Sequence, residues 1–308
     1  MWLLLAFVSA TLLGFYDASK KAALKDNAVL PVLLLNTLFS TLIFCPFIID
    51  SLLGTEWFRG TICSTAPYKE GAEVMTSLAK AHMLVILKAM IVLSSWIAGY
   101  FGIKHIPITI VGPINATRPV LVLIGAMLFF GERLNWCQWV GVLLSILSIY
   151  LMSRSSKKEN IDFTRNKWMI FVAIATLMGA VSGLYDKFIM RELSPIFVQS
   201  WFNFYQLIIM SIVCMLAWYP TRKKTTPFHW SWAIPLIAIF VSAADFAYFN
   251  ALSRPEAMIS VVSLIRRGSV LISFACGVLI FKERNLKAKV FDLLLILIGM
   301  IFVYFGSR

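Results

Sequence analysis

Ten apolar runs, each close to bilayer-spanning length, follow one another from residue 2 to residue 305. Crossing the hydrocarbon takes ~20 helical residues. Runs this long without alternation read as helices, because only a helix satisfies its own backbone groups in lipid. The runs cover 2–19, 28–49, 83–103, 107–130, 136–152, 168–190, 196–218, 232–252, 255–281 and 287–305. Short polar breaks separate them: Lys25-Asp26-Asn27, Arg154 to Lys158, Pro220 to Lys224 and Arg254-Pro255. Only 14% of the residues are charged, against ~25% in soluble domains. The chain therefore cannot cover itself for water, and the expected class is an all-α membrane protein with ten transmembrane helices.

The first run lacks a basic leading segment and runs into Asp17 and Lys20 without a clear small-residue cleavage site. It reads as a first span rather than a signal peptide. The longest break, 50–82, carries Gly54, Gly60, Pro67 and Gly71. It is expected to form a surface loop with a short interfacial helix.

The chain also says nearly the same thing twice. Gly14-Phe15-Tyr16-Asp17 recurs as Gly183-Leu184-Tyr185-Asp186, and Tyr100-Phe101 with Pro107 recurs as Tyr248-Phe249 with Pro255. Each half then reaches arginine inside an apolar run (Arg118; Arg266-Arg267) and closes with Glu132-Arg133 or Glu283-Arg284. Five spans precede the 153–167 connector and five follow it, which gives units 1–152 and 168–308. An odd number of helices per unit makes the second copy enter from the opposite side. The units are thus two inverted five-helix repeats, an arrangement that places a two-fold-related cavity near the midplane.

Several function classes fall away. Cys45, Cys63, Cys137, Cys214 and Cys276 are scattered and odd in number, so neither a metal site nor a disulfide framework is indicated. His82, His105 and His229 lie near span ends. No phosphate-binding Gly-rich loop is present, and no nucleophile–base constellation, so neither ATP use nor an enzyme is expected, and no cofactor. The net charge of +13 sits in loops between spans. It suits orientation and anionic lipid headgroups rather than nucleic acid.

Pro119, Glu132 thirteen residues on in Phe-Phe-Gly-Glu-Arg-Leu, and the Gly141-bearing run resemble the fourth and fifth helices of an EamA domain. The whole chain resembles two such domains in tandem, as in the drug/metabolite transporter superfamily. In the second copy Lys282 replaces the glycine and Val270 stands where the proline would be. The resemblance implies a central cavity opening alternately to each side, and the export of small metabolites from a multi-pass protein of a bacterial inner membrane. The partners expected are a small-molecule substrate and membrane lipids, and the oligomeric state a monomer or homodimer.

Orientation is open. Of 28 Lys and Arg, sixteen fall in odd-numbered connections, eight in even-numbered connections and tails, and four inside spans. The positive-inside rule then places both termini outside, whereas the resemblance implies cytoplasmic termini.

The four inside spans are Lys88, Arg118, Arg266 and Arg267. Each costs at least ~2.5–3.5 kcal/mol at the membrane centre unless it is paired or wetted. Arg118 follows Asn115 by one turn, and Pro119 leaves the Asn115 carbonyl without its helical donor. Arg267 shares a face with Ser260 and Ser263. A guanidinium forks onto carboxylate or phosphate, so one reading is an anion cradle across the repeat axis. That logic is similar to the plastid sugar-phosphate translocators of the same superfamily. The other reading is internal pairing with Asp17, Asp186 and Asp245.

The same three aspartates are the candidates for proton coupling. Asp17 and Asp186 lie near span ends; Asp245 lies deeper, as a proton carrier or the partner of Lys88. Trp96, Tyr100, Trp201, Tyr205 and Tyr248 either stack on an organic substrate or pack at interfaces. Asn203 and Gln206, one turn apart, either bond between helices or bind ligand. The expected function is secondary transport of a small organic metabolite, with an anion favoured, by alternating access coupled to protons or counter-exchange. A lipid flippase of the same fold and a multi-pass membrane enzyme are the alternatives.

Overall fold

The computed structural model describes residues 1–55, 57–58, 61, 63–69, 77–105, 118–155, 167–222 and 226–269, with isolated positions from 272 to 306. Nine helices lie in these stretches: α1 Trp2–Leu24, α2 Val29–Leu53, α3 Leu78–His105, α4 Arg118–Phe130, α5 Trp136–Ser155, α6 Lys167–Ile189, α7 Pro195–Val213, α8 Ala233–Leu252 and α9 Ile259–Arg266. Six of these segments are long and apolar enough to cross a membrane. Their outer faces are bare hydrocarbon, as at Leu4, Leu42, Ile174, Ile212 and Ile239. The expected spans 107–130 and 255–281 are described only from Arg118 onward and, as continuous chain, as far as Ser269. The last expected span, 287–305, lies largely outside the described residues.

Packing follows a two-fold rule. Helix α1 packs on α8 as α6 packs on α3; α2 packs on α8 as α7 packs on α3; α4 packs on α6 as α9 packs on α1. The mates α2 and α7 touch each other, and so do α4 and α9. Glu132, just past the end of α4, holds the start of α9, while Arg118 at the near end of α4 lies in electrostatic range of Arg266 at the end of α9. The two helices are therefore antiparallel, as inversion of the repeats requires.

Repeated glycines make the close approaches. A Cβ on Gly14 of α1 would stand 2.3 Å from Ile272 Cβ and 2.9 Å from the Ser269 carbonyl oxygen. A Cβ on Gly179 of α6 would stand 2.6 Å from Arg118 Cζ. Gly14 of the recurrent Gly-x-x-Asp thus admits a neighbour from the other repeat, with Asp17 one turn further on, whereas on α6 the tight approach is made at Gly179, one turn before the recurrent Gly183.

The described residues of the α2–α3 connection form turns and loop, and the rest of the segment where a short interfacial helix is expected lies outside the described residues. The connection's Pro, Gly and Thr residues favour turns, and Asp50 at the end of α2 organises them. Asp50 accepts from Thr55 Oγ1 at 2.5 Å, from the Trp57 N–H at 2.9 Å and from Thr65 Oγ1 at 2.5 Å. Gly54, left-handed at φ 63°, closes the helix. The connection then docks on the α6–α7 turn through an isolated antiparallel bridge between Tyr68 and Leu193. Two backbone bonds flank it, Lys69 N–H to Glu192 O and Ser194 N–H to Pro67 O, both 3.0 Å.

Lys69 ties this end of the bundle together, donating from Nζ to the carbonyls of Met190 and Ser253, the latter at 2.8 Å. Burial, with Lys187 and Arg254 nearby, pushes its pKa down to about 8. A lysine lowered in the folded state is less protonated there than in the unfolded chain, so stability is expected to rise with pH between about 8 and its ordinary 10.5. Melting curves of the wild type and Lys69→Met across that window check this. The rise should be smaller in the variant.

Gly131, at φ 65°, ends α4 in the left-handed region that favours glycine. Glu132 can then turn onto the other repeat, where Oε1 accepts from Ile259 N–H at 2.7 Å and Oε2 from Ser260 N–H at 3.2 Å and from Ser260 Oγ. The residue before α9, Met258, provides no side-chain cap. The Gly-Glu of the motif therefore caps a helix of the opposite repeat, with a carboxylate at a helix N-terminus. Glu132→Ala leaves those donors unmet and is expected to cost roughly 1–3 kcal/mol, read as a lower melting temperature in detergent. Glu132→Gln should recover part of the loss.

Candidate functional site

The cations inside the spans converge where α3, α4, α6, α8 and α9 meet. Lys88 on α3 is 2% exposed and forms an ion pair with Asp186 of α6. Its ammonium lies 4.5 Å from the ring centre of Phe202 and 4.7 Å from that of Phe249, so two aromatic faces complete its shell. The partner of Lys88 is thus Asp186 and not Asp245. Although Asp186 lies near the end of α6, it is buried, because α3 and α8 cover that turn.

Asp245 instead pairs with Arg266 at 2.9 Å, and both side chains are about one-fifth exposed. The Arg266 guanidinium lies 3.9 Å over the ring centre of Tyr248, and its buried Nε has no protein partner. Tyr248 is itself buried, with its hydroxyl beside Gly183.

Arg118 is held differently. It donates from Nη2 to the carbonyl of Gly179 at 2.6 Å, and among the described residues no carboxylate bonds it. Gly179, Gly183 and Asp186 form a stripe along one face of α6. The first glycine makes room for Arg118, the second lies beside the Val122 side chain and the Tyr248 hydroxyl, and the aspartate takes Lys88. Arg118 is in Coulombic range of Arg266, Tyr248 and Asp186, and Arg267 of Arg118, Asp17 and Arg266.

The centre thus joins four cations (Lys88, Arg118, Arg266, Arg267) to three carboxylates (Asp17, Asp186, Asp245). Among the described residues one positive charge is in excess. In a low-dielectric interior that excess is a standing demand for an anion.

Other sequence candidates are placed elsewhere. Trp96 packs between two hydrophobic clusters, beside Ile209. Ser263 lies half-buried on α9, while Ser260 is taken up by the Glu132 cap. Asn115 lies outside the described residues, and so do the side chains of Tyr100 and His105. His82, near the start of α3, joins an aromatic cluster: its ring meets Trp201 edge-on at 4.6 Å, and Nδ1 bonds the Tyr205 hydroxyl at 3.0 Å. Sequence reasoning gave Gly179 no role, although a glycine seven residues before the recurrent aspartate stands two helical turns away on the same face. Glu132 served there only as a family signature. Among the described residues no cluster of His, Cys, Asp or Glu is arranged to hold a metal ion.

Comparison with known proteins agrees with this architecture. The EamA-like transporter family matches twice, over residues 1–154 and 166–305. A solved structure titled "Crystal structure of protein" is similar in fold, with a TM-score of 0.72 at 15% identity, covering 99% of this chain and 96% of that one. No curated protein matches the chain. The paired match, on a bundle of apolar helices with two-fold packing, makes the chain a multi-pass membrane protein, and it belongs to the EamA-like transporter family.

Proposed function

We propose that the protein is a secondary transporter of a small organic anion, working by alternating access, with Arg118 as the anchor for the anionic group. The observation that carries this reading is the charge inventory of the centre. Lys88 and Arg266 each bond a carboxylate, Asp17 lies in range of Arg267, and among the described residues Arg118 bonds only a carbonyl. Its remaining guanidinium donors suit the forked grip on carboxylate or phosphate.

The same inventory bears on coupling. Counted over the described residues, the empty centre carries one net positive charge, and a bound monoanion neutralises it. Reorientation past the hydrophobic seal is then cheaper for the loaded protein, because an uncompensated charge in hydrocarbon is costly. Counter-exchange follows, each half-cycle requiring an anion. The cargo and surrounding lipid are the partners, the host membrane is a bacterial inner membrane, and the working unit is a monomer or homodimer.

Purified protein in proteoliposomes tests the reading with a panel of radiolabelled carboxylates and phosphate esters. Uptake should be accelerated by unlabelled anion inside the vesicle and be nearly insensitive to a pH gradient. Uptake into empty vesicles driven by a pH gradient would replace exchange with proton coupling. Scrambling of fluorescent phospholipid without anion uptake would make the protein a flippase.

A further inference from the structure

We infer that the seam between α2 and α7 lines the translocation path in the state opposite to this one, its amides and hydroxyls carrying the uncharged polar part of the cargo. Among the described residues, nine buried side-chain polar atoms have no protein partner, and seven belong to this seam or the turn of α8 facing it. They are Asn36 Oδ1 on α2; Gln199 Oε1, Ser200 Oγ, Asn203 Nδ2, Gln206 Nε2 and Trp218 Nε1 along α7 and its continuation; and Ser242 Oγ on α8. Asn36, Gln199, Ser200, Asn203, Gln206 and Ser242 are each more than nine-tenths buried. A dry interface in a membrane normally satisfies such groups within itself. A concentration of unmet donors and acceptors in one seam is explained if water reaches it for part of the cycle.

The seam is ordered along its length. Trp201 Nε1 donates to Ser51 Oγ at 3.3 Å, Thr41 Oγ1 donates to Asn203 O at 3.0 Å, and Leu33 shares a hydrophobic cluster with Met210. The helices therefore run antiparallel, with Asn36 and Gln206 at one level between the last two tie points. Gln199, Asn203 and Gln206 recur along one face of α7. Gln199 also donates to Ser242 O at 2.7 Å, one turn before Asp245. The polar file thus leads into the charged centre rather than ending in the core.

Both helices carry a bending point at corresponding places. Pro46 interrupts α2, lacking the N–H for its helical bond. Helix α7 loosens into a π turn at Cys214–Trp218 and then a 3-10 turn. Because the mates run antiparallel, the two points lie towards opposite ends of the seam, and each can let one end part while the other stays shut.

This inference rests on the alternating-access reading but not on the nature of the cargo, and thiol accessibility tests it without one. In a background with the five native cysteines changed to alanine, Asn36→Cys, Asn203→Cys and Gln206→Cys are exposed to a charged, membrane-impermeant methanethiosulfonate from either side of vesicles. Thr61→Cys in the exposed α2–α3 connection shows that the reagent reacts, and lipid-facing Leu42→Cys supplies the background. Labelling of the seam positions well above Leu42→Cys is the expected result, and background labelling at all three from both sides overturns the inference.

The triple variant Asn36→Leu, Asn203→Leu, Gln206→Leu gives the second readout. A seam that only packs should fold with unchanged or higher thermal stability and keep its uptake. A seam that lines the path should fold as well and lose uptake. Retained uptake overturns the inference whatever the labelling shows, and if no anion is transported by the wild type, the labelling result alone decides.

Discussion

Arg118→Ala is expected to abolish anion uptake while leaving folded protein in the membrane at near wild-type abundance. Among the described residues its guanidinium makes one hydrogen bond, to the Gly179 carbonyl. Losing that bond costs about 1 kcal/mol, offset by removing a charge from the interior. The cargo, by contrast, loses its anchor. Arg118→Lys should recover little, because an ammonium cannot reproduce the forked donors. Gly179→Ala probes the same contact from the other side: the added methyl would stand 2.6 Å from Arg118 Cζ, so the guanidinium must move. Weakened uptake with an intact Arg118 ties function to the position of the charge and not only to its presence. Arg267→Ala should also lose uptake, but with a lower folded yield than Arg118→Ala, because it removes a cation in range of Asp17. Uptake assays paired with size-exclusion profiles read both quantities, and normal transport by either alanine variant would sink the cradle.

Lys88→Ala has the opposite signature. The pair it forms with Asp186 is buried, and the lysine is enclosed by Phe202 and Phe249. Removing the cation leaves Asp186 as an uncompensated buried carboxylate, a loss of roughly 3–5 kcal/mol. The expected result is a large fall in folded yield and melting temperature, not a folded but inactive protein. Removing both charges with Lys88→Met and Asp186→Leu should restore most of the stability, because the desolvation cost goes with the attraction. The double-mutant cycle measures the coupling. If Lys88→Ala melts like the wild type, the pair is not a structural lock. Together the two experiments separate charges that hold helices from the charge that holds cargo.

Much of the architecture was legible because lipid is an undemanding reader of sequence. Spans need only length and apolarity, so α1, α2, α3, α6, α7 and α8 appear within a few residues of where the runs place them. The ends shift outward: α1 continues to Leu24 and α2 to Leu53. Lysine stems can lie along a helix end while their ammonium groups reach outward, and Lys20 does so over the Tyr16 ring at 5.4 Å. What organises the α2–α3 connection was not legible, because Asp50 holds it through residues up to fifteen positions away, which no local pattern reveals. The aromatic shell of His82 was not legible either, because its neighbours Trp201 and Tyr205 are more than a hundred positions distant.

By itself, then, the chain's sequence determined the solvent, the helical class, the duplication and its inversion, since each follows from run length, composition and an odd helix count. It also named the charged residues that must be accounted for. Pairing was decided only by tertiary structure. Lys88 took Asp186, Arg266 took Asp245, and Arg118 was left with a carbonyl. The same contacts turned Glu132 from a signature into a cap and gathered the unmet amides into one seam. The physical reason is range: hydropathy acts residue by residue along the chain, while a buried charge or amide is satisfied only by what another helix brings within hydrogen-bonding distance.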